Sequence, residues 1–411
     1  MTAASLHQSD TESTSQFSLF EGDLVNRTFS RLRIGGRRPV DLLLRMIVVI
    51  GVTWVPMAIM AWFTPLPANA VTAQNFFYDF AAYAQFFIGL PLFIIAEYVM
   101  AEHIRSAARD FSGSGVVAAA DLPALEQVER AVELARKKPA NDWICFAIAY
   151  VMALMTIGPE LFWQSDMNSW HVDKIDAVTR QLTYAGAWEM FVALPIQIYW
   201  WVRWVWKICL WYWYLSQLAG FRLVLVASHP DHTGGIAFLS EVQAHYAIVI
   251  LAFGISNVVA TIGYKIAVEH APVALPGVWG PVIGFSIGAP LLFLSPLLLF
   301  TKQLNRTKKR ALAQFREKAM RSALRVEEQW LHTAPGQEQE TIARTELSQL
   351  NLLTGFYERI HAMRVVPFDL RSAGQLIGSA VGPMIPLLPY FVTIPEPWNK
   401  ILEALTKWLP H

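Results

Sequence analysis

Apolar and polar positions fall into long blocks along this chain. Six apolar blocks reach the roughly 20 residues a helix needs to cross a bilayer: 42–63, 82–100, 143–162, 185–206, 245–266 and 278–300. A seventh, 373–392, holds no charge but carries Pro383, Pro386 and Pro389. Proline in a membrane helix frees carbonyls that neighbouring groups must satisfy, so this block reads as a broken crossing or a re-entrant hairpin. The pattern therefore predicts an all-α integral membrane protein. It has six transmembrane helices, a broken or re-entrant seventh segment and a cytoplasmic helical hairpin.

The polar blocks divide the rest. Residues 1–39 form a polar, then basic, N-terminus, expected to be disordered, and 40–301 form the six-helix domain. Within that domain, Leu122, Leu125, Val128, Val132 and Leu134 recur among charges and predict an amphipathic helix over 122–138. A basic helix continues out of the sixth span, Ala334-Pro335-Gly336 breaks it, and a return helix follows at about 340–363. This is the expected hairpin, within a segment covering 302–372, before the seventh block at 373–394 and a tail at 395–411.

Composition agrees with this reading. Hydrophobic residues make up 54% of the 411, and charged residues only 16%, against about 25% in soluble domains. The net charge of +1 gives no global basic signal and excludes nucleic acid as the expected partner. The two cysteines, Cys145 and Cys209, both lie in apolar blocks and form no disulfide framework. Arginine and lysine cluster before the first span, between the second and third, and after the sixth. The positive-inside rule then places the N-terminus in the cytoplasm, and the expected location is a bacterial inner membrane.

Candidate chemistry is sparse. The stretch 199–214, YWWVRWVWKICLWYWY, sets Arg203 and Lys207 among aromatic rings at the inner end of the fourth span. Two readings stand there: interfacial anchoring, with both cations snorkelling to water, and a cationic collar at an inner pore mouth. In Ser228–Gly235, SHPDHTGG, the residues His229, Asp231 and His232 are candidate ligands for a divalent metal or an anion. The alternative there is a tight turn capped by Asp231. Asn257, Thr261 and Lys265 make a polar stripe on the fifth span. Gly280, Gly284 and Gly288 make a small-residue ladder on the sixth, echoed by Gly374, Gly378 and Gly382. Stripe and ladder are the candidate path lining. Glu160 and Glu189 are candidates for an acidic outer vestibule.

The Walker A, GxGxxG and HExxH motifs are absent from the sequence. The leading expectation is a homo-oligomeric channel or transporter for ions or small solutes. The alternatives are a membrane enzyme using the His/Asp turn and a membrane sensor or scaffold using the basic helix.

Overall fold

A computed structural model describes residues 17–36, 38–64, 76–162, 170–174, 180–262, 276–332 and 352–385. In chain order the helices are α1 (Leu24–Arg31), α2 (Pro39–Phe63), α3 (Phe80–Gly113), α4 (Leu122–Lys137) and α5 (Pro139–Phe162). A short antiparallel pair, β1 (Val172–Lys174) and β2 (Arg180–Leu182), precedes α6. α6 runs on through three pieces, Tyr184–Trp188, Glu189–Ala193 and Leu194–Leu218. Then come α7 (Phe238–Ile262), α8 (Pro276–Leu294), α9 (Thr301–His332), α10 (352–362) and α11 (Leu370–Val381).

Five helical stretches are long and apolar enough to cross a membrane: α2, α3, Pro139–Thr156 of α5, α7, and Trp279–Arg325 through α8 into α9. The expected fourth span is absent from that set, although α6 is a long helix. Its many Trp and Tyr rings lower its hydropathy, and it is an interior element. Trp200, Trp204, Trp211 and Tyr214 are all buried, with α5 and α4 packed against its length and α2 against its first turns. Of the expected broken or re-entrant seventh segment, the described part is α11, of 12 residues, which runs into a short turn at 382–385. Residues 386–394 and the tail at 395–411 lie outside the described residues.

Prolines shape the spans. Pro56 inside α2 cannot donate to the Val52 carbonyl, and the Trp188 indole of α6 donates to it instead at 3.0 Å. Pro195 similarly frees the Phe191 carbonyl, which accepts the Tyr150 hydroxyl of α5 at 2.9 Å. Pro296 frees that of Leu292, which accepts Ser295 Oγ at 2.8 Å. Each broken rung thus regains a donor, two of them from a neighbouring helix. A π-helical turn stands just before Leu90-Pro91 in α3 (Ala84–Gly89) and before Leu194-Pro195 in α6 (Glu189–Ala193). The wider turn absorbs the missing bond.

These two matched interruptions belong to an internal repeat. Asp23-Leu24 opens α1 and Asp121-Leu122 opens α4. Arg37-Arg38-Pro39 and Lys137-Lys138-Pro139 lead into α2 and α5, and each unit then closes on a π turn and Leu-Pro. A third π turn, Gly254–Val259 in α7, packs on that of α3. Gly89 permits this contact, since a Cβ there would lie 2.6 Å from the Ser256 Cβ.

The N-terminal arm departs from the expectation of disorder. Phe17, Leu19 and Phe20 are buried, and the Phe17 ring stacks on Tyr214 at 4.7 Å. Three apolar side chains within four residues outweigh the cost of ordering a short segment. At the hairpin, α10 returns against the start of α9. Phe315 and Phe356 approach to 6.2 Å, and Lys308 Nζ donates to the Met363 carbonyl at 2.7 Å.

Candidate functional site

Four charges meet in the interior. Asp23 is the N-cap of α1, its Oδ1 accepting the Asn26 amide at 3.2 Å. Its Oδ2 accepts from Arg203 Nε at 2.8 Å and Nη2 at 2.5 Å. The other side of the same guanidinium holds Glu97 of α3, from Nη1 at 2.7 Å and Nη2 at 2.8 Å. Lys207, one turn along α6, places Nζ 3.3 Å from Asp23 and 3.5 Å from Glu97 as an ion pair, without hydrogen-bond alignment. Relative exposures are 5% for Asp23, 7% for Glu97, 2% for Arg203 and 3% for Lys207. Two anions and two cations cancel, as buried charges must. The Lys207 ammonium also sits over the Phe20 ring at 4.4 Å, and Arg203 over Trp200 at 4.8 Å.

This burial corrects the reading of Arg203 and Lys207. They neither snorkel to water nor stand as an open collar. The two carboxylates neutralise them and tie α6 to α3 and α1. Burial opposes ionisation of Asp23, but the Arg203 and Lys207 cations and its hydrogen bonds outweigh that and hold its carboxyl well below the usual range.

The network continues outward to a cavity. Asn26 Nδ2 donates to Glu97 Oε1 at 2.9 Å and to the Phe20 carbonyl. Arg45 Nη1 donates to Asn26 Oδ1 at 3.3 Å, while its other nitrogens hold the Ile34 and Gly36 carbonyls. Asn26, Glu97 and Arg45 all line a cavity of about 860 Å³ between α1, the start of α2 and the second half of α3. Five arginines line it: Arg27, Arg31, Arg38, Arg45 and Arg105. Three carboxylates share the wall. Glu97 is held by Arg203, and Glu102 by Arg105 and Arg109 at 3.0 Å each, while Glu21 lies 4.0 Å from Arg105. Arg27, Arg31 and Arg38 make no ion pair among the described residues. The cavity is thus electropositive, and its volume suits a small-molecule ligand. Guanidinium forks of this kind recognise carboxylate and phosphate groups.

The other candidates fare differently. Asp231 accepts the amides of Thr233 at 2.8 Å, Gly235 at 2.9 Å and Ala237 at 3.2 Å, and the Thr233 hydroxyl at 2.9 Å. With His232 at φ +56°, Gly234 at +72° and Gly235 at +101°, the segment is a capped tight turn. Burial of Asp231 is again outweighed, here by these bonds and by His229, and its carboxyl stays below the usual range. His229 Nδ1 lies 2.8 Å from Asp231. His229, Asp231 and His232 do not converge, and no group of three metal-ligating side chains occurs among the described residues. What the turn does is clasp: the His232 carbonyl accepts the Arg364 amide at 2.7 Å, fastening the segment after α10.

Asn257, Thr261 and the ladder glycines do not line the arginine-rich cavity. Asn257 Nδ2 donates back to the Phe253 carbonyl at 3.2 Å, and Thr261 is exposed. Lys265 lies outside the described residues. A Cβ at Gly280, Gly284 or Gly288 would meet nothing within 4 Å, and the same holds for Gly374, Gly378 and Gly382. Neither ladder mediates close packing among the described residues. Nor does Glu189 face an outer vestibule. It is buried, with His171 Nδ1 2.5 Å from its carboxylate. Only the backbone is described at Glu160.

Asp23, Glu97, Asn26 and Arg45 are absent from the sequence-derived candidates. One signal pointed to them. Glu97 is a carboxylate inside an apolar block, a costly placement that demands a cation at the same depth. Arg203 and Lys207 were among the cations in or beside apolar blocks, as were Arg45 and Lys265.

Comparison with protein-family models, curated proteins and solved structures gives no match.

Proposed function

We propose that this chain is a multi-pass channel or transporter for small anionic solutes, with the arginine-lined cavity as its inner vestibule. The observation that carries this reading is the cavity itself. About 860 Å³ of space lined by five arginines ends at a buried, charge-balanced network on α1, α3 and α6. An electropositive concavity of this kind concentrates anions and orients them through bidentate contacts. The repeated hairpins, each interrupted by a π turn before proline, are the kind of broken helices found in transport folds. In this reading the basic end faces the cytoplasm of a bacterial cell, with the N-terminus inside. The open glycine ladders of α8 and α11 are the contact faces for further copies in a homo-oligomer.

The test is flux. Purified protein in proteoliposomes should take up at least one labelled anion from a panel of phosphate, sulfate and a dicarboxylate, and should leave potassium and glucose outside. Protein-free liposome rates for every anion would reject the proposal.

A further inference from the structure

The four-charge cluster is asymmetric in how its members are attached. Glu97, Arg203 and Lys207 belong to the long helices α3 and α6, whereas Asp23 belongs to the N-terminal arm. Removing the Asp23 carboxylate would leave two cations against one anion in a buried site. The Asp23 Oδ2 atom alone meets Arg203 Nε, Arg203 Nη2 and Lys207 Nζ within 3.3 Å. One oxygen held by two guanidinium donors, with an ammonium beside it, is how a protein holds a ligand carboxylate or phosphoryl oxygen. The site also adjoins the cavity, since Glu97 and Asn26 belong both to the cluster's hydrogen bonds and to the cavity wall. On that side stands α1, the helix that Asp23 itself caps.

We propose that Arg203 and Lys207 form an inner anion site for a carboxylate or phosphate group, and that Asp23 is its tethered occupant in this conformation. An incoming anion replaces Asp23, keeps the cluster neutral and releases the arm from α6. This deepens the transport reading and names the step that opens the vestibule inward. The apolar anchors Phe17, Leu19 and Phe20 oppose the release, so the arm closes again once the anion departs.

The test is chemical rescue in the full chain. Asp23→Ala removes the occupant. Asp23→Ser removes it while keeping an oxygen to cap α1, which guards against a simple folding defect. Thermal unfolding in detergent is followed against sodium formate, inorganic phosphate or sodium chloride at constant ionic strength. Formate or phosphate should raise the melting temperature of the Asp23 variants saturably, by about 3 °C or more beyond chloride. The wild type should show a smaller gain that needs more anion, because the anion must first displace Asp23, and Asp23→Ser combined with Arg203→Gln should show none. A gain in phosphatidylglycerol vesicles but not phosphatidylcholine, without added anion, would assign the occupant to a lipid headgroup and still support the site. Equal responses to formate and chloride, or an undiminished response without Arg203, would overturn it. Flux failure with successful rescue would reject only the transport reading, whereas flux with no rescue would reject only this site.

Discussion

Replacing Arg203 with glutamine should produce a protein that gains stability as pH falls from 8 to 5, a window in which the intact cluster contributes no slope. The guanidinium makes four hydrogen bonds to two buried carboxylates, at 2.5–2.8 Å. Without it, Asp23 and Glu97 face Lys207 alone, one negative charge in excess. Breaking one partner of a buried ion cluster typically costs about 3–5 kcal/mol. Proton uptake limits the loss. Neutralising a carboxyl with an ordinary value near 4 costs about 4 kcal/mol at pH 7, so the variant should settle at roughly that penalty. The apparent melting temperature should then fall by about 5 °C.

The sign of the pH dependence follows. In the wild type the Asp23 carboxyl is held below its unfolded value. Its contribution is fully present above the ordinary carboxylate range, near 3.9, and is lost only as pH falls toward the depressed value. Between pH 8 and 5 this contribution is flat. In Arg203→Gln the excess carboxylate binds a proton more readily folded than unfolded, so stability should rise as pH falls through that window. Scanning fluorimetry of detergent-purified protein from pH 5 to 8 measures both slopes. A variant that parallels the wild type, or melts within about 2 °C of it at pH 7, would refute the neutral-cluster argument. Arg203→Lys should lie between, losing about 2 kcal/mol, because an ammonium keeps the charge but not the double fork.

Two further predictions concern backbone geometry and the turn. At Gly186 a Cβ would lie 2.2 Å from the His171 carbonyl oxygen, and at Gly284 it would meet nothing within 4 Å. Gly186→Ala should therefore cost about 2 kcal/mol or more, while Gly284→Ala should melt within about 1 °C of wild type when both are compared as detergent-solubilised monomers. Asp231→Ala should cost about 1–2 kcal/mol and expose the segment after α10 to limited proteolysis. In the wild type that protection should persist above the ordinary carboxylate range and weaken only in stronger acid, since the Asp231 carboxyl sits below its unfolded value.

Much of the architecture was legible in the sequence, because the rules involved are local. Apolar block length located the five candidate membrane helices. The spacing of Leu125 and Val132 located α4, and the Pro-Asp-His-Thr-Gly-Gly chemistry supplied the capped turn as one of two readings. Two kinds of feature were not legible. Helix α6 carries so many tryptophans and tyrosines that an interior helix resembles an interfacial one, and only packing separates the two. The four-charge cluster is non-local, since Asp23 lies 180 positions and Glu97 106 positions from Arg203. No periodicity connects such residues. The paired Arg-Arg-Pro and Lys-Lys-Pro openings and the paired Leu-Pro interruptions are local signals as well, and they align the two hairpins by residue pattern alone.

The central claim, that the arginine-lined cavity handles anions, is tested most directly by initial uptake rates in proteoliposomes. The anion taken up fastest by the wild type should be compared in Arg31→Gln/Arg38→Gln and in Arg325→Gln, an exposed arginine far along α9. Losing two guanidinium contacts, each worth about 1.5 kcal/mol or more, should lower the rate at sub-saturating anion at least about 100-fold, with Arg325→Gln unchanged. Equal rates in all three proteins would contradict the account.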